Sequence, residues 1–334
     1  MPIKSELSGT IDVIGIGNAI VDVLAYTTDI FLESYSLNKG NMTLINESQA
    51  EKIYCQMGSS LETSGGSAAN TLAGVAQLGG NCAFIGRVKN DKLGEIFTKE
   101  IIKTGTFFKT PPTIGGPSTA RCLILVTPDA ERTMCTYLGA SVLLEPKDLD
   151  LSIIKKAKIL YLEGYLFDNP TAKNAFYSAA KISKESNKKV ALSLSDSFCV
   201  NRHREDFLDL LINHIDILFA NESEIISLFK SSNLEEALFK IKGKCEIAII
   251  TCGAKGSIII SQDEELKINA YNLGKVIDTT GAGDLYASGF LYGYVNDKDL
   301  LNCGKIGSIC ASKIITQLGS RSEESLQELI TQYL

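Results

Sequence analysis

Asp278-Thr279-Thr280-Gly281-Ala282-Gly283-Asp284 runs directly into Leu285-Tyr286-Ala287-Ser288-Gly289-Phe290. Two glycines around an alanine leave the backbone bare, so an oxygen-rich ligand can come close to its amides. Downstream, Leu285, Ala287, Phe290, Leu291 and Tyr294 recur at helical spacing, which predicts a helix opening inside this stretch. Gly281, Ala282 and Gly283 then supply the free N–H groups of a helix N-terminus, which attract negative charge. Asp284 falls in the first turn. A carboxylate beside an anion site is electrostatically awkward, so two readings stand. It is an acidic cap on a glycine-rich turn, or a general base beside developing negative charge.

A second glycine-fronted helix is predicted from Ser64-Gly65-Gly66-Ser67-Ala68-Ala69-Asn70. Ala69, Leu72, Ala73, Ala76 and Leu78 mark its small-residue face, with Ser67 as N-cap and Gly79-Gly80 as the stop. Asn70 lies in its first turn, facing whatever the glycines admit; tight helix–sheet packing is the competing reason for such small residues. Near the N-terminus, Ile11-Asp12-Val13-Ile14-Gly15-Ile16-Gly17 reads as a buried strand. It is not a dinucleotide fingerprint, because Ile20 stands where the third glycine belongs. Asp22 follows closely, either as a turn or edge residue or as a ligand.

From Ile159 onward, apolar strands alternate with helices. Strands are expected at 159–162, 190–194, 215–220, 247–251 and 257–260, with helices at about 171–186, 203–213, 222–230 and 234–242. This pattern predicts a three-layer α/β/α fold with a central, mainly parallel sheet. Ligands of such sheets bind beyond the strands' C-terminal ends. Asp22, Asn221-Glu222-Ser223-Glu224, Thr251-Cys252-Gly253 and the 278–284 loop all follow strands and so gather on one rim. Residues 107–140 differ: Cys122–Val126 and Thr133–Leu138 are β-rich and joined by Pro128-Asp129-Ala130-Glu131-Arg132. The expected organisation is an α/β core (1–23, 47–106, 141–334) under a small β lid (24–46, 107–140).

A net charge of −6 with no dense Lys/Arg cluster argues against binding a nucleic-acid backbone. Nine cysteines, scattered and never in C-x-x-C spacing, form neither a disulfide framework nor a zinc site. Two histidines leave little room for histidine-based metal or triad chemistry. The N-terminus lacks an apolar signal core and no apolar run reaches membrane-spanning length, so a cytoplasmic location away from membranes is expected. No G-x-x-x-x-G-K-[ST] is present, which excludes a P-loop.

With these residues in hand, the chain resembles the PfkB (ribokinase-like) kinases of carbohydrates and nucleosides over essentially its whole length. The 278–284 stretch looks like the family's C-terminal signature and Ser64–Asn70 like its di-glycine signature. Asn221-x-x-Glu224 resembles its N-x-x-E motif, and Thr251-x-Gly253-x-x-Gly256 its ATP-side turn. Gly17–Asp22, Phe31–Leu37 and Leu194–Phe198 look closest to adenosine-kinase-like members. The resemblance implies ATP-dependent phosphorylation of a primary hydroxyl on an adenosine-like nucleoside. A free-sugar kinase and a non-catalytic nucleoside-binding protein are the alternatives.

The same resemblance implies roles for individual residues. Asp22 and Asn70 would hold sugar hydroxyls, with Ile20, Gly65 and Gly66 closing on the ribose. Asp284 would be the base, the Gly281, Ala282 and Gly283 amides the anion hole, and Arg132 a lid residue reaching the phosphates. ATP would meet Asn221, Glu224, Thr251, Gly253, Gly256 and Ser308. Glu224 would hold Mg²⁺ through water. Carbonyls near Asp278 and Thr280, with the Gly319-Ser320 loop, would hold a potassium-like cation (K⁺). Phe167, Phe198 and Tyr165 either stack on a flat base or belong to the core. The resemblance is compatible with a monomer or a homodimer. Two positions depart from the pattern: Thr119-Ala120 replaces Thr-Gly in the lid, and Met42 stands where eukaryotic adenosine kinases are expected to carry glutamine.

Overall fold

The structure is a computed structural model that describes residues 9–129 and 131–334; the N-terminal octapeptide and Ala130 of the expected hairpin turn lie outside the described residues. Its larger sheet has nine strands. Their spatial order is Glu265–Ile268, Ser257–Ser261, Ile247–Thr251, Ile217–Asn221, Lys189–Ser193, Ala157–Glu163, Ile11–Ile16, Cys82–Ile85 and Phe107–Phe108. All pair in parallel except the Ser257–Ser261 and Glu265–Ile268 strands, which run antiparallel at one edge.

Strict alternation explains why this sheet is covered twice. Leu160, Leu162, Leu218, Ala220, Ala248 and Ile250 enter one core cluster. Their neighbours Ile159, Tyr161, Ile217, Phe219, Ile247 and Ile249 enter the other. A strand apolar on both faces is stable only between two helical layers. Pro170–Glu185, Arg204–His214 and Glu222–Phe229 supply one layer. The other includes Ser67–Gln77 and Ala282–Val295.

A second sheet of five strands has the order Met42–Leu44, Arg132–Tyr137, Ala120–Val126, Ile20–Tyr26, Leu61–Gly65. Its membership differs from the expected lid boundaries in three ways, the first being that Ile20–Tyr26 begins within residues 1–23, placed in the core by sequence. Leu61–Gly65, placed in the core by sequence, pairs antiparallel with Ile20–Tyr26. Phe107–Phe108, placed in the lid, instead extends the large sheet beside Cys82–Ile85. Both strands are too short to carry a period of their own, so tertiary pairing alone assigns them. Asp22 is likewise not at a core strand's end: it sits within the small sheet, opposite Thr63 and Cys122.

Six of the nine cysteines are buried. Among the described residues no helix is long and apolar enough to cross a membrane.

Candidate active site

The two sheets enclose a cavity of about 730 Å³. Its core side is built by strand ends: Glu163, Ser193, Asn221 and Thr251 each close a parallel strand, and all four line it. The small sheet contributes Ile20, Asp22, Met42, Cys122, Ile124 and Met134. Gly281, Ala282, Gly283 and Asp284 complete the wall. Of the predicted rim, Asn221, Glu224, Thr251 and residues 279–284 line the cavity, Asp22 reaches it from the opposite sheet, and Glu222, Ser223, Cys252, Gly253 and Asp278 do not line it.

Local geometry explains the glycines. Gly281 caps the helix Ala282–Val295 with φ +78°, a left-handed conformation, and a Cβ there would lie 2.8 Å from Cβ of Ser320. Any side chain would be strained and would push the Ser320 loop away. Gly66, not Ser67, is the N-cap of Ser67–Gln77; its φ is +99° and a Cβ would meet the Asn18 carbonyl. A Cβ on Gly65 would fall 2.2 Å from the Asp22 carboxylate, so the di-glycine makes room for that acid.

Released from capping, Ser67 donates its hydroxyl to Asp284 Oδ1 at 2.6 Å. Asn70 Nδ2 donates to Asp284 Oδ2 at 3.3 Å. Burial nevertheless raises the Asp284 pKa to about 6, against the pull of these two donors. Burial also lifts Asp22 to about 6; Arg321 and then Arg132 draw it back down, while Asp284 pushes it up. The Ser288 hydroxyl donates to the Thr71 carbonyl at 2.7 Å, binding the two glycine-fronted helices together. Close packing and site building are thus served by the same small residues.

Three contributors were not read from sequence. Ser67, by sequence an N-cap, is instead a donor to Asp284. Glu163 accepts from the Asn18 amide N–H, Asn18 Nδ2 and the Ala68 N–H at 3.2, 2.9 and 2.8 Å. Burial raises its pKa to about 7 in spite of these donors. A lone acid ending an apolar strand is the signal that could have found it. Arg321 donates from Nε to Asn70 Oδ1 at 3.3 Å; it sits in a loop far along the chain, with no local pattern to mark it.

Other expected residues are placed differently. Arg132 forms an ion pair with Asp278, and its Nη1 lies 3.2 Å from Thr280 Oγ1; it does not line the cavity. Asp278 also accepts from the Thr280 amide at 3.0 Å and the Gly319 amide at 2.8 Å. Burial works against its charge, yet these bonds and Arg132 hold its carboxyl below the usual range. Glu224 lines the cavity and forms a reciprocal capping box with Asn221. Burial raises its pKa to about 7, opposed by the Asn221 amide.

Phe167 lies outside the cavity, wholly buried, its ring stacked on Phe207 with centroids 4.2 Å apart. No face is left for a ligand. Phe198 and Tyr165 do line the cavity. Gly253 and Gly256 shape the turn between two strands without lining it, and a Cβ on Gly256 would strike the Ile268 carbonyl. Ser308 is buried and donates to the Asn269 carbonyl at 2.9 Å, so its hydroxyl is committed within the fold.

The sequence profile of the pfkB family carbohydrate kinases matches residues 40–326. The chain belongs to this family. Among solved structures, a probable sugar kinase protein from Rhizobium etli superposes with a TM-score of 0.90 at 46% identity, covering 98% of this chain and 99% of that one. The adenosine kinase from Sinorhizobium meliloti superposes with a TM-score of 0.90 at 45% identity, covering 98% and 100%. The probable chloroplastic fructokinase-6 of Arabidopsis thaliana is 32% identical over 254 residues, 71% of this chain and 64% of that protein. The PfkB fold thus accounts for the three-layer core and for the second sheet over its strand ends.

Proposed function

We propose that this PfkB-family chain is an ATP-dependent nucleoside kinase of adenosine type, which moves the γ-phosphoryl group to a primary hydroxyl of the nucleoside. One observation carries the reading. Asp284, in the first turn of a glycine-opened helix, shares one cavity with Asp22 and Asn70. A base, an anion site and hydroxyl acceptors are then within one substrate's reach.

In the proposed reaction Asp22 accepts from a sugar hydroxyl and the di-glycine backbone closes on the sugar. Asp284 takes the proton of the attacking hydroxyl as its oxygen bonds to phosphorus and the bond to the ADP oxygen breaks. The amides of Gly281 and Gly283 receive the charge on the transferred group, joined by that of Ala282 once it leaves the Thr279 carbonyl, to which it donates at 3.2 Å. Phosphoryl transfer asks mainly for positioning and charge stabilisation, which these groups supply. Arg132 is already at the foot of the anion loop, on Asp278 and Thr280, and reaches phosphate oxygens by exchanging those partners. The small sheet acts as a lid that keeps water from the γ-phosphate.

The donor set fits Mg²⁺ only in part. Among the described residues no three acidic, histidine or cysteine side chains cluster as a metal cage, and both Glu224 oxygens already accept from Asn221. That suits an ion carried by phosphates and water, with Glu224 outside its coordination sphere. Magnesium supplies neutralisation of phosphate charge when bound. The Asp278–Thr280 turn meets the Gly319-Ser320 loop through the Gly319 amide, which supports K⁺ held there by backbone carbonyls. Nine scattered cysteines without C-x-x-C spacing support a reducing, cytoplasmic setting, with the enzyme as monomer or homodimer.

A nucleoside is favoured over a free sugar by the cavity's apolar side: Met42, Cys122, Ile124, Met134 and Leu138, with exposed Phe198 at its margin. A flat heterocycle covers such a wall; a free sugar leaves it wet. Kinship with the Sinorhizobium adenosine kinase supports the same choice. An ADP-release screen over adenosine, inosine, guanosine, ribose and fructose tests it. The expected result is turnover with adenosine; turnover confined to sugars selects the free-sugar reading, and ligand-dependent melting without ADP selects a binding protein.

A further inference from the structure

We propose that Arg321 is a positioning residue for this transfer: its guanidinium fixes which way the Asn70 amide faces, and through Asn70 how the Asp284 carboxylate is held. The inference rests on the kinase reading of the same site and adds a residue that the family signatures do not contain.

The argument begins with donor and acceptor types. A guanidinium only donates, and an ionised carboxylate only accepts. Asn70 lies between one of each, with Arg321 Nε 3.3 Å from its Oδ1 and Asp284 Oδ2 3.3 Å from its Nδ2. Only one amide orientation satisfies both. Flipping it would set two donors face to face and two acceptors face to face. Arg321 therefore selects the rotamer in which Nδ2 addresses Asp284, leaving Ser67 to hold the other oxygen. The carboxylate is then clamped at both oxygens while still facing the cavity.

The loop that carries Arg321 is built to hold this register. It joins the helices Leu300–Ile314 and Leu326–Tyr333. Gln317 Nε2 donates to the Arg321 carbonyl at 2.7 Å. Gln77, on the same helix as Asn70, donates to the Ser322 carbonyl at 2.7 Å. Two residues earlier, the Gly319 amide holds Asp278. One loop thus braces both acids of the Asp278–Asp284 stretch.

Stability does not explain the residue. Arg321 Nη2 is buried and has no hydrogen-bond partner among the described residues, and burial lowers the guanidinium pKa to about 10, partly restored by Asp22. A buried cation with an unspent donor is unfavourable for folding. Its electrostatic effect falls first on Asp22, where it is the strongest force opposing burial. The other charged or titratable groups facing these acids are Arg132, Cys122, Tyr161, Tyr165 and Glu163.

The test compares Arg321→Met and Arg321→Lys with wild type. Because methionine removes a buried charge, a folded variant is expected, checked by thermal melting. Arg321→Met should lower kcat about 10- to 100-fold, the scale for a displaced catalytic group, and Arg321→Lys, which still donates to Asn70, should recover most of it. Asn70→Ala combined with Arg321→Met should be no slower than Asn70→Ala alone. Independently of turnover, ¹³C NMR of aspartate carboxyls should show Asp284 titrating at higher pH in Arg321→Met, because the Asn70 donor no longer addresses it. Wild-type kcat in that variant overturns the inference, as does an unmoved Asp284 titration or simple additivity in the double variant. A wild-type protein that makes no ADP from any acceptor overturns the kinase reading instead, and the titration then decides whether Arg321 sets the Asn70 contact to Asp284.

Discussion

The carboxylate of Asp284 is pulled two ways: burial raises its pKa to about 6, while Ser67 and Asn70 favour the charged form. At neutral pH it is ionised yet basic enough to accept a proton, as a general base must be. Asp284→Asn is expected to cut kcat at least about 100-fold with little change in KM, measured by ADP release. The same shift predicts a stability effect. Because the folded-state pKa lies above the unfolded value, the native chain binds this proton more readily. Its contribution is present below the unfolded pKa and is lost as pH rises towards 6. Asp284→Asn should therefore melt above wild type at pH 8, and the gap should close as pH falls through 6. On the other sheet, Asp22→Ala should raise KM about 10- to 100-fold, the scale of a lost hydrogen bond to a charged group; steady-state kinetics on the nucleoside check it.

Among the elements, the di-glycine helix Ser67–Gln77 shows how a helix end is set from outside. Its cap, Gly66, has no side chain to offer, so Glu163, at the end of a neighbouring strand, accepts the Ala68 N–H instead. The same carboxylate holds Asn18, whose Oδ1 accepts from Ser141 at 2.8 Å. Strand end, helix start and turn are thus tied by one acid. Glu163→Ala strands the buried Asn18 donors and should destabilise the fold by about 1–3 kcal/mol, read as a fall in the urea midpoint at unchanged slope. The helix was legible in its Ala-rich sequence, but the cap was misassigned to Ser67, because sequence cannot show that this hydroxyl is drawn 217 residues along the chain to Asp284.

For the whole molecule, the acids converge from separate parts: Asp22 from the small sheet, Glu163 and Asp284 from the core. Their pKa values stand at about 6, 7 and 6. All three act as acceptors, so activity should decline as pH falls through 7 and then 6. The acid limb of kcat/KM, which reports the free enzyme, should be steeper than a single ionisation. A flat profile down to pH 5 would contradict the assignment of Asp284 as base. The Arg132–Asp278 ion pair spans from the small sheet to the anion loop, so any movement of the small sheet must break or carry that contact.

The chain's own pattern determined the α/β core and the two glycine-opened helices, because period-2 apolar strands, helical spacing and glycine chemistry are local properties. It also determined that Asp284 stands in the first turn of a glycine-opened helix. Tertiary structure decided the rest: that Asp22 belongs to the second sheet, that Phe167 and Ser308 are spent inside the core, and that Glu163 and Arg321 enter the site. Those outcomes depend on partners distant in sequence. A buried polar group is satisfied by whatever the fold brings within hydrogen-bonding distance, and no local pattern records that choice.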